Sequence, residues 1–405
     1  MQSADILDGG AGNDVLNAKL NSTINAQDAV ITAIETLNFT LANTAGIAGA
    51  NITGATKVNV NGGYTLTYTA QDTENFSVSD DDTGLTVTRS KADTSADAIT
   101  VTLGSGKLGT ITVGDKNTTD FETITLTADG ASQATLVEAD SGATTESFAD
   151  TGDKIVINGS GDLVLSIDDA LLGSNNTSAS TAAASIDASG YTGKLTVALG
   201  ATIADYVDVS KFIGVDAIKL GTNDSGAGNV DVTVLKQVVS GTEVIINGTV
   251  DANNTFTATP YSSTSTTDNL TLTLNHASSG TAVSLATVTL DGFETATISS
   301  TGTNTTSTTV KNSIATVAGT TTDKNLTISG DKYLTVGTQV DKTWTNITVT
   351  NTAGVDLTIE AGSDLKFTGG EGNDRLEIDA LSDITKDDTL NGGAGTGETK
   401  RKTNS

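Results

Sequence analysis

The 405-residue chain contains no cysteine and one copy each of proline, tryptophan, histidine and methionine. Without cysteine there is no disulfide framework, no thiol nucleophile and no sulfur-ligated metal. The lone histidine, His276 in TLTLNHASSG, sits where a strand pattern meets a turn and reads as a polar turn residue; any Ser-His-Asp arrangement would have to use it. Neither G-x-S-x-G nor H-E-x-x-H occurs. Aromatic residues make up 4% of the chain, and basic clusters are missing outside the basic tail 398–405. Paired carboxylates therefore lack the platforms and cations that a glycosidase or polysaccharide lyase would need. The expectation is a protein that is not an enzyme.

Cations are scarce too: 21 Lys and Arg stand against 49 Asp and Glu, for a net charge of −28. Such a chain repels nucleic acid and anionic membrane, and its self-repulsion opposes compaction unless bound cations offset it. No 18-residue apolar run exists, so no membrane span is expected. The N-terminus shows no charged segment followed by an apolar one, which argues against a cleavable secretory signal. A cytosolic protein, export by another route and a piece of a longer chain are all compatible with that.

What is abundant is threonine, at 75 residues, and glycine, at 43. Threonine is β-branched and suits strands, and glycine suits the turns between them. From about residue 28 to 367 short segments alternate an aliphatic residue with Thr, Ser or Asn and then stop at Gly, Asp or Asn. TKVNVNG (56–62), YTLTYTA (64–70), AITVTLG (98–104), ETITLTA (122–128), LTLTLN (270–275) and NLTISG (325–330) are examples. This is the period-two signature of strands with one buried face. Helical signals are confined to NAQDAVITAIETL (25–37) and STAAASIDA (180–188), and 171–185 and 253–268 read as exposed excursions.

A second pattern recurs: a small or aromatic residue, an acid, then a strand. It occurs at Glu35, Glu74, Glu122, Asp216, Glu243 and Glu294, with irregular spacing, and suggests one supersecondary unit reused with insertions. Tandem Ig-like β-sandwiches would need bulky aromatics for a core about 10 Å thick. The inward positions here are mostly Val, Ile, Leu and Ala. The fold class expected is all-β, a parallel β-helix or solenoid, with tandem sandwiches as the alternative.

Two stretches differ from the rest. Gly9-Gly10-Ala11-Gly12-Asn13-Asp14-Val15-Leu16-Asn17 fits G-G-x-G-x-D-x-U-x at each fixed position, and Asp5 and Leu7 repeat its second half nine residues earlier. Gly369-Gly370-Glu371-Gly372-Asn373-Asp374-Arg375-Leu376-Glu377 is a second copy. A third begins at Asp388 and runs to Thr396, but Gly397 stands where the aspartate belongs. Glycines permit tight turns with positive φ, and carbonyl and carboxylate oxygens suit Ca²⁺ rather than zinc. The candidate metal residues are Asp5, Gly10, Gly12 and Asp14 at one end and Gly370, Gly372, Asp374 and Asp388 at the other, with Asp379 and Asp383 as weaker ones. Asp80-Asp81-Asp82 reads first as a solvated turn. GAGNVD (226–231) and NGSGDLV (158–164) read as ordinary turns, and the N-x-[ST] triplets follow from Thr-rich strands.

These nonapeptides resemble those of RTX proteins, which form Ca²⁺-binding parallel β-rolls. SIDASGYTGKLTV (185–197), with the acid-strand pattern, is similar to the body of RTX-type bacterial surface-layer proteins. In a β-roll an ion lies between loops two nonapeptides apart, and the N-terminal copy offers only one and a half. The implied organisation is a partial β-roll coil at 1–18, a Thr-rich solenoid body at 19–367, RTX-like Ca-binding coils at 368–397 and a disordered tail at 398–405. The resemblance implies a Ca²⁺-dependent structural protein of the bacterial cell surface that assembles with its own copies into a two-dimensional lattice after type I secretion. A cell-envelope glycan or lipopolysaccharide is a further candidate partner. The alternative is an RTX adhesin or the repeat region of a larger exoprotein.

Overall fold

The computed structural model describes residues 5–23, 29–47, 52–70, 74–89, 97–114, 121–138, 154–167, 185–199, 206–220, 234–247, 255–262, 264–276, 282–302, 311–319, 324–360, 364–379, 384–395 and 399–401. They contain strands and turns and no helix. The chain forms two compact units: Met1–Asn175 with Ala182–Ala198 and Lys211–Val215, and Asn176–Thr181 with Leu199–Ser210 and Asp216–Ser405.

In the first unit successive strands alternate between two sheets. One holds Val15–Leu20, Thr36–Leu41, Lys57–Asn61, Asn75–Val78, Ala98–Leu103, Thr123–Ala128, Lys154–Gly159, Ser185–Asp187 and Phe212–Ile213. The other runs from Ala45–Ile47 through Thr65–Ala70, Gly84–Arg89, Gly106–Val113 and Ser132–Glu138 to Leu163–Ile167. A short third sheet joins Asp5–Asp8, Ala29–Thr32 and Ile52–Thr53. The second unit repeats the plan. Ala217–Leu220, Glu243–Asn247, Asn269–His276, Thr295–Gly302, Lys324–Gly330, Trp344–Val349, Lys366–Thr368 and Thr389–Asn391 lie in one sheet. Tyr206–Asp208, Val234–Val238, Thr255–Pro260, Ser284–Leu290, Asn312–Ala318, Leu334–Val340, Val355–Ile359, Arg375–Ile378 and Thr399–Arg401 lie in the other.

Among the described residues the pairings are parallel, as between Thr36 and Lys57 or Thr295 and Asn325. A sandwich of hairpins is thereby excluded, and each unit is a parallel β-solenoid. Register explains the irregular spacing of the sequence pattern. Lys57 faces Asn75, 18 residues on, whereas Thr123 faces Lys154, 31 residues on. Coils therefore differ in loop length and hardly at all in strand position.

The core is the row of alternate residues. In Thr123–Ala128, Ile124, Leu126 and Ala128 are fully buried and the threonines between them face outward. The buried aromatic side chains among the described residues are Phe39, Tyr68, Phe76, Phe121, Phe212, Phe256, Phe293, Trp344 and Phe367. Both helical expectations fail where the residues are described; 25–28 and 180–184 lie outside them. Residues 29–37 form strand, turn and strand, and Ser185–Asp187 is a strand, because their alternate apolar residues continue sheets that neighbouring coils already define. The expected excursion at 253–268 contains the strand Thr255–Pro260, whereas 171–184 lies outside the described residues. His276 is likewise not a solvated turn residue. It closes an inward row after Leu270, Leu272 and Leu274, is fully buried, and lies against Gly302, where a Cβ would collide with the ring.

Candidate calcium-binding turns

The first six residues of the N-terminal nonapeptide, 9–14, form the turn between Asp5–Asp8 and Val15–Leu20. Gly10 and Gly12 hold φ of 78° and 143°, which side-chain-bearing residues adopt only with strain. Asp8 closes the turn by accepting the Gly10 N–H at 3.0 Å. The Asp14 N–H donates to the Glu35 carboxylate at 2.7 Å, and the Asp14 carbonyl accepts from Thr36 at 3.1 Å. One carboxylate oxygen of Asp14, Oδ2, is buried and has no hydrogen-bond partner. It faces the glycine turn, 3.7 Å from where a Gly12 Cβ would lie. A buried, unpartnered carboxylate oxygen costs about 1–3 kcal/mol or more, and a hard cation removes that cost. Asp14 therefore fits Ca²⁺. The next coil does not offer a second glycine turn: between Ala29–Thr32 and Thr36–Leu41 stand only Ala33, Ile34 and Glu35. Asp5 lies on the far side of Asp5–Asp8 from this turn, paired with Ala29, and is exposed.

At the C-terminal end two glycine turns do stack. Residues 369–374 join Lys366–Thr368 to Arg375–Ile378, and the turn beginning at Gly392 lies over them. The Gly370 carbonyl accepts the Ala394 N–H at 2.9 Å, and a Cβ on Gly393 or Gly395 would strike a carbonyl of Gly369, Gly370 or Gly372. A depression of about 400 Å³ opens beside Gly369, Gly370, Glu371 and Ala394. Asp374, only 6% exposed, is however already engaged: Oδ2 accepts the Gly370 N–H at 2.8 Å and Oδ1 the Val355 N–H at 3.2 Å. Asp388 does the same in another turn, accepting from Leu365 at 2.7 Å and Thr385 at 2.6 Å. Asp374 precedes a strand of one sheet and Asp388 a strand of the other, so the coil puts them at opposite corners rather than around one ion. Asp379 is exposed at the end of Arg375–Ile378, and Asp383 lies outside the described residues. Nowhere among the described residues do three acidic or histidine side chains converge as a ready metal site.

The acid of the recurring pattern has a structural job. Glu35, Glu122 and Glu294 each stand at the corner leading into a strand, and each carboxylate reaches back one coil to a backbone N–H. The acceptances are from Asp14 at 2.7 Å, Asp97 at 2.5 Å and Asp268 at 2.8 Å. Their own carbonyls accept from the following coil, at Lys57, Lys154 and Asn325. The preceding Ile34, Phe121 and Phe293 are buried beneath the corner. Glu74 serves the core instead: it is 7% exposed and takes the Tyr68 hydroxyl at 3.2 Å, while burial, with Glu74 adding to it, pushes the tyrosine's pKa far up. Asp80-Asp81-Asp82 is a turn in which Asp81 accepts the Lys107 N–H at 2.8 Å. GAGNVD lies outside the described residues.

A family model described as the RTX calcium-binding nonapeptide repeat, in four copies, matches residues 2–20. Nonapeptide repeats of that kind bind calcium and are typical of proteins secreted by the type I route. Neither the curated proteins nor the solved structures contain a match. The match covers the turn that carries the unpartnered Asp14 oxygen and stops at Leu20, the end of the strand Val15–Leu20. No helix among the described residues is long and apolar enough to cross a membrane.

Proposed function

We propose that this chain is a Ca²⁺-dependent, non-enzymatic structural protein of the bacterial cell surface, a subunit that assembles with its own copies into a surface layer. The supporting observation is the Asp14 carboxylate, held against a glycine turn with one oxygen buried and unpartnered, within the stretch that matches the calcium-binding repeat. Calcium would be held there by Asp14 and by oxygens of the turn, and would supply positive charge to a chain of net charge −28. Binding free energy at such a turn is in part folding free energy, so the first coil is ordered where calcium is millimolar and loose where it is scarce. The parallel solenoid supports the structural reading, because its strands turn rows of Thr, Ser and Asn outward.

Adding calcium to purified protein tests this proposal. A surface-layer subunit forms ordered two-dimensional arrays visible by electron microscopy, and an RTX adhesin remains monomeric at several millimolar Ca²⁺. Monomers throughout that range would remove the lattice reading while leaving the calcium reading intact.

A further inference from the structure

The strand Leu334–Val340 does not match its neighbour residue for residue. Val336 pairs with Leu357 and Val340 with Ile359, so four steps on one strand answer two on the other. The two extra residues are accommodated as a bulge in which Gly337 and Thr338 are exposed. Beside it the strands Val355–Ile359 and Arg375–Ile378 continue flat, with Asp356 opposite Arg375 and Thr358 opposite Glu377. The bulge and these strands enclose a solvent-open depression of about 470 Å³.

Its floor is a planar polar array. The Arg375 guanidinium donates from one nitrogen to Asp356 at 2.5 Å and from the other to Glu377 at 2.6 Å. Those two carboxylates hold its pKa above the ordinary arginine value. Thr335, Thr338, Thr358, Gln339 and Asp379 complete the walls, and among the described residues no aromatic or aliphatic side chain lines them. This chemistry selects by exclusion. An apolar ligand finds no surface to bury. A phosphate, sulfate or uronate meets three carboxylates around one guanidinium. A bare metal ion meets Arg375 already seated between two of the three acids. Uncharged vicinal hydroxyls suit the array, because they donate to carboxylates and accept from guanidinium and threonine groups. The volume lies within the range of small-ligand sites.

We propose that this depression is a docking site for an uncharged saccharide. The reading of the chain as a surface protein bears only on where such a sugar is met, and the site itself stands on its own residues. Lacking an aromatic platform, it binds each unit weakly and gains strength from a repeating polymer. Saturation-transfer NMR with maltohexaose, long-chain dextran and oligogalacturonate as probes tests it. Maltohexaose signals show a single-unit site, and stronger retention of dextran shows that a polymer is the better source of the same chemistry. Thr338→Leu narrows the mouth without supplying an aromatic surface and should weaken both strongly; Thr100→Leu, on an outward position of the first unit, should change neither. Absence of signal with both neutral probes, signals that Thr338→Leu leaves unchanged, or preference for oligogalacturonate would each overturn the assignment. Because calcium-dependent melting is a separate readout, failure here leaves the calcium reading standing, and the converse holds.

Discussion

At the scale of single residues, polar groups inside a narrow solenoid are informative because each must be satisfied or tolerated. Lys324 is 1% exposed on the inward row with Leu326 and Ile328. Its Nζ has no hydrogen-bond partner and lies 5.6 Å from the Trp344 ring centre. Burial lowers its pKa, opposed by Glu294 and Asp291. The unfolded chain therefore binds more protons than the folded one just below the ordinary lysine value, and stability rises with pH through that interval. Lys324→Met should raise the melting temperature, with a gain in stability on the order of 1 kcal/mol or more, and flatten the rise just below the ordinary lysine pKa. A lower melting temperature would mean that the amine is held by a favourable contact. Asp187 shows the opposite sign. Hydrogen bonds from Lys154 and then Ser189 lower its pKa to about 2. Its contribution is present above pH 4 and lost as pH falls through about 2. Lys154→Met should make acid unfolding less steep between pH 4 and 2, and an unchanged profile would show that the pair contributes nothing. Glu122 accepts the Asp97 N–H across coils, and removing that acceptor strands a donor. Glu122→Ala should lower stability by about 1–3 kcal/mol and Glu122→Gln by much less, compared by chemical denaturation.

Elements in this fold repeat, and the repeat decides which glycines matter. A Cβ on Gly161 would meet the backbone of Gly130 one coil away, whereas one on Gly190 would reach only Asn158 Oδ1 at 3.7 Å. Gly161→Ala should therefore unfold the first unit at lower temperature, and Gly190→Ala should be nearly silent. Equal effects would show that turn stacking is not what limits these positions. The strands were legible in the sequence because alternation is local: one buried face leaves a period of two wherever the strand is long enough. Lys57–Asn61, Thr65–Ala70 and Thr123–Ala128 fall within the segments read from that pattern. Strands such as Ser132–Glu138, Leu334–Val340 and Thr255–Pro260 were hidden by polar composition, a bulge and a neighbouring Ser/Thr run, and register with adjacent coils defines them instead. The recurring acid was visible as a pattern, but its target, a backbone N–H one coil away, depends on loop lengths that no spacing reveals. The same holds for Asp374 and Asp388, whose separation into opposite corners follows from sheet alternation.

For the molecule as a whole, a net charge of −28 and a calcium-binding repeat belong together. The solenoid supplies its own backbone hydrogen bonds coil by coil, and Glu35, Glu122, Glu294, Asp374 and Asp388 hold backbone N–H groups at its corners. Calcium dependence is therefore concentrated in a few turns, with the Asp14 turn foremost. Asp14→Asn should keep the fold but reduce the response to calcium, whereas Asp374→Asn should lower stability with or without the ion, because that carboxylate holds two backbone N–H groups. The most direct test is the melting temperature followed from excess EGTA into millimolar calcium. A ligand that binds only the folded state at a hundred times its Kd adds about 2.7 kcal/mol. A rise that continues with the logarithm of calcium concentration, reverses in EGTA and shrinks in Asp14→Asn is the expected result. A melting temperature identical in EGTA and in several millimolar calcium would contradict the account.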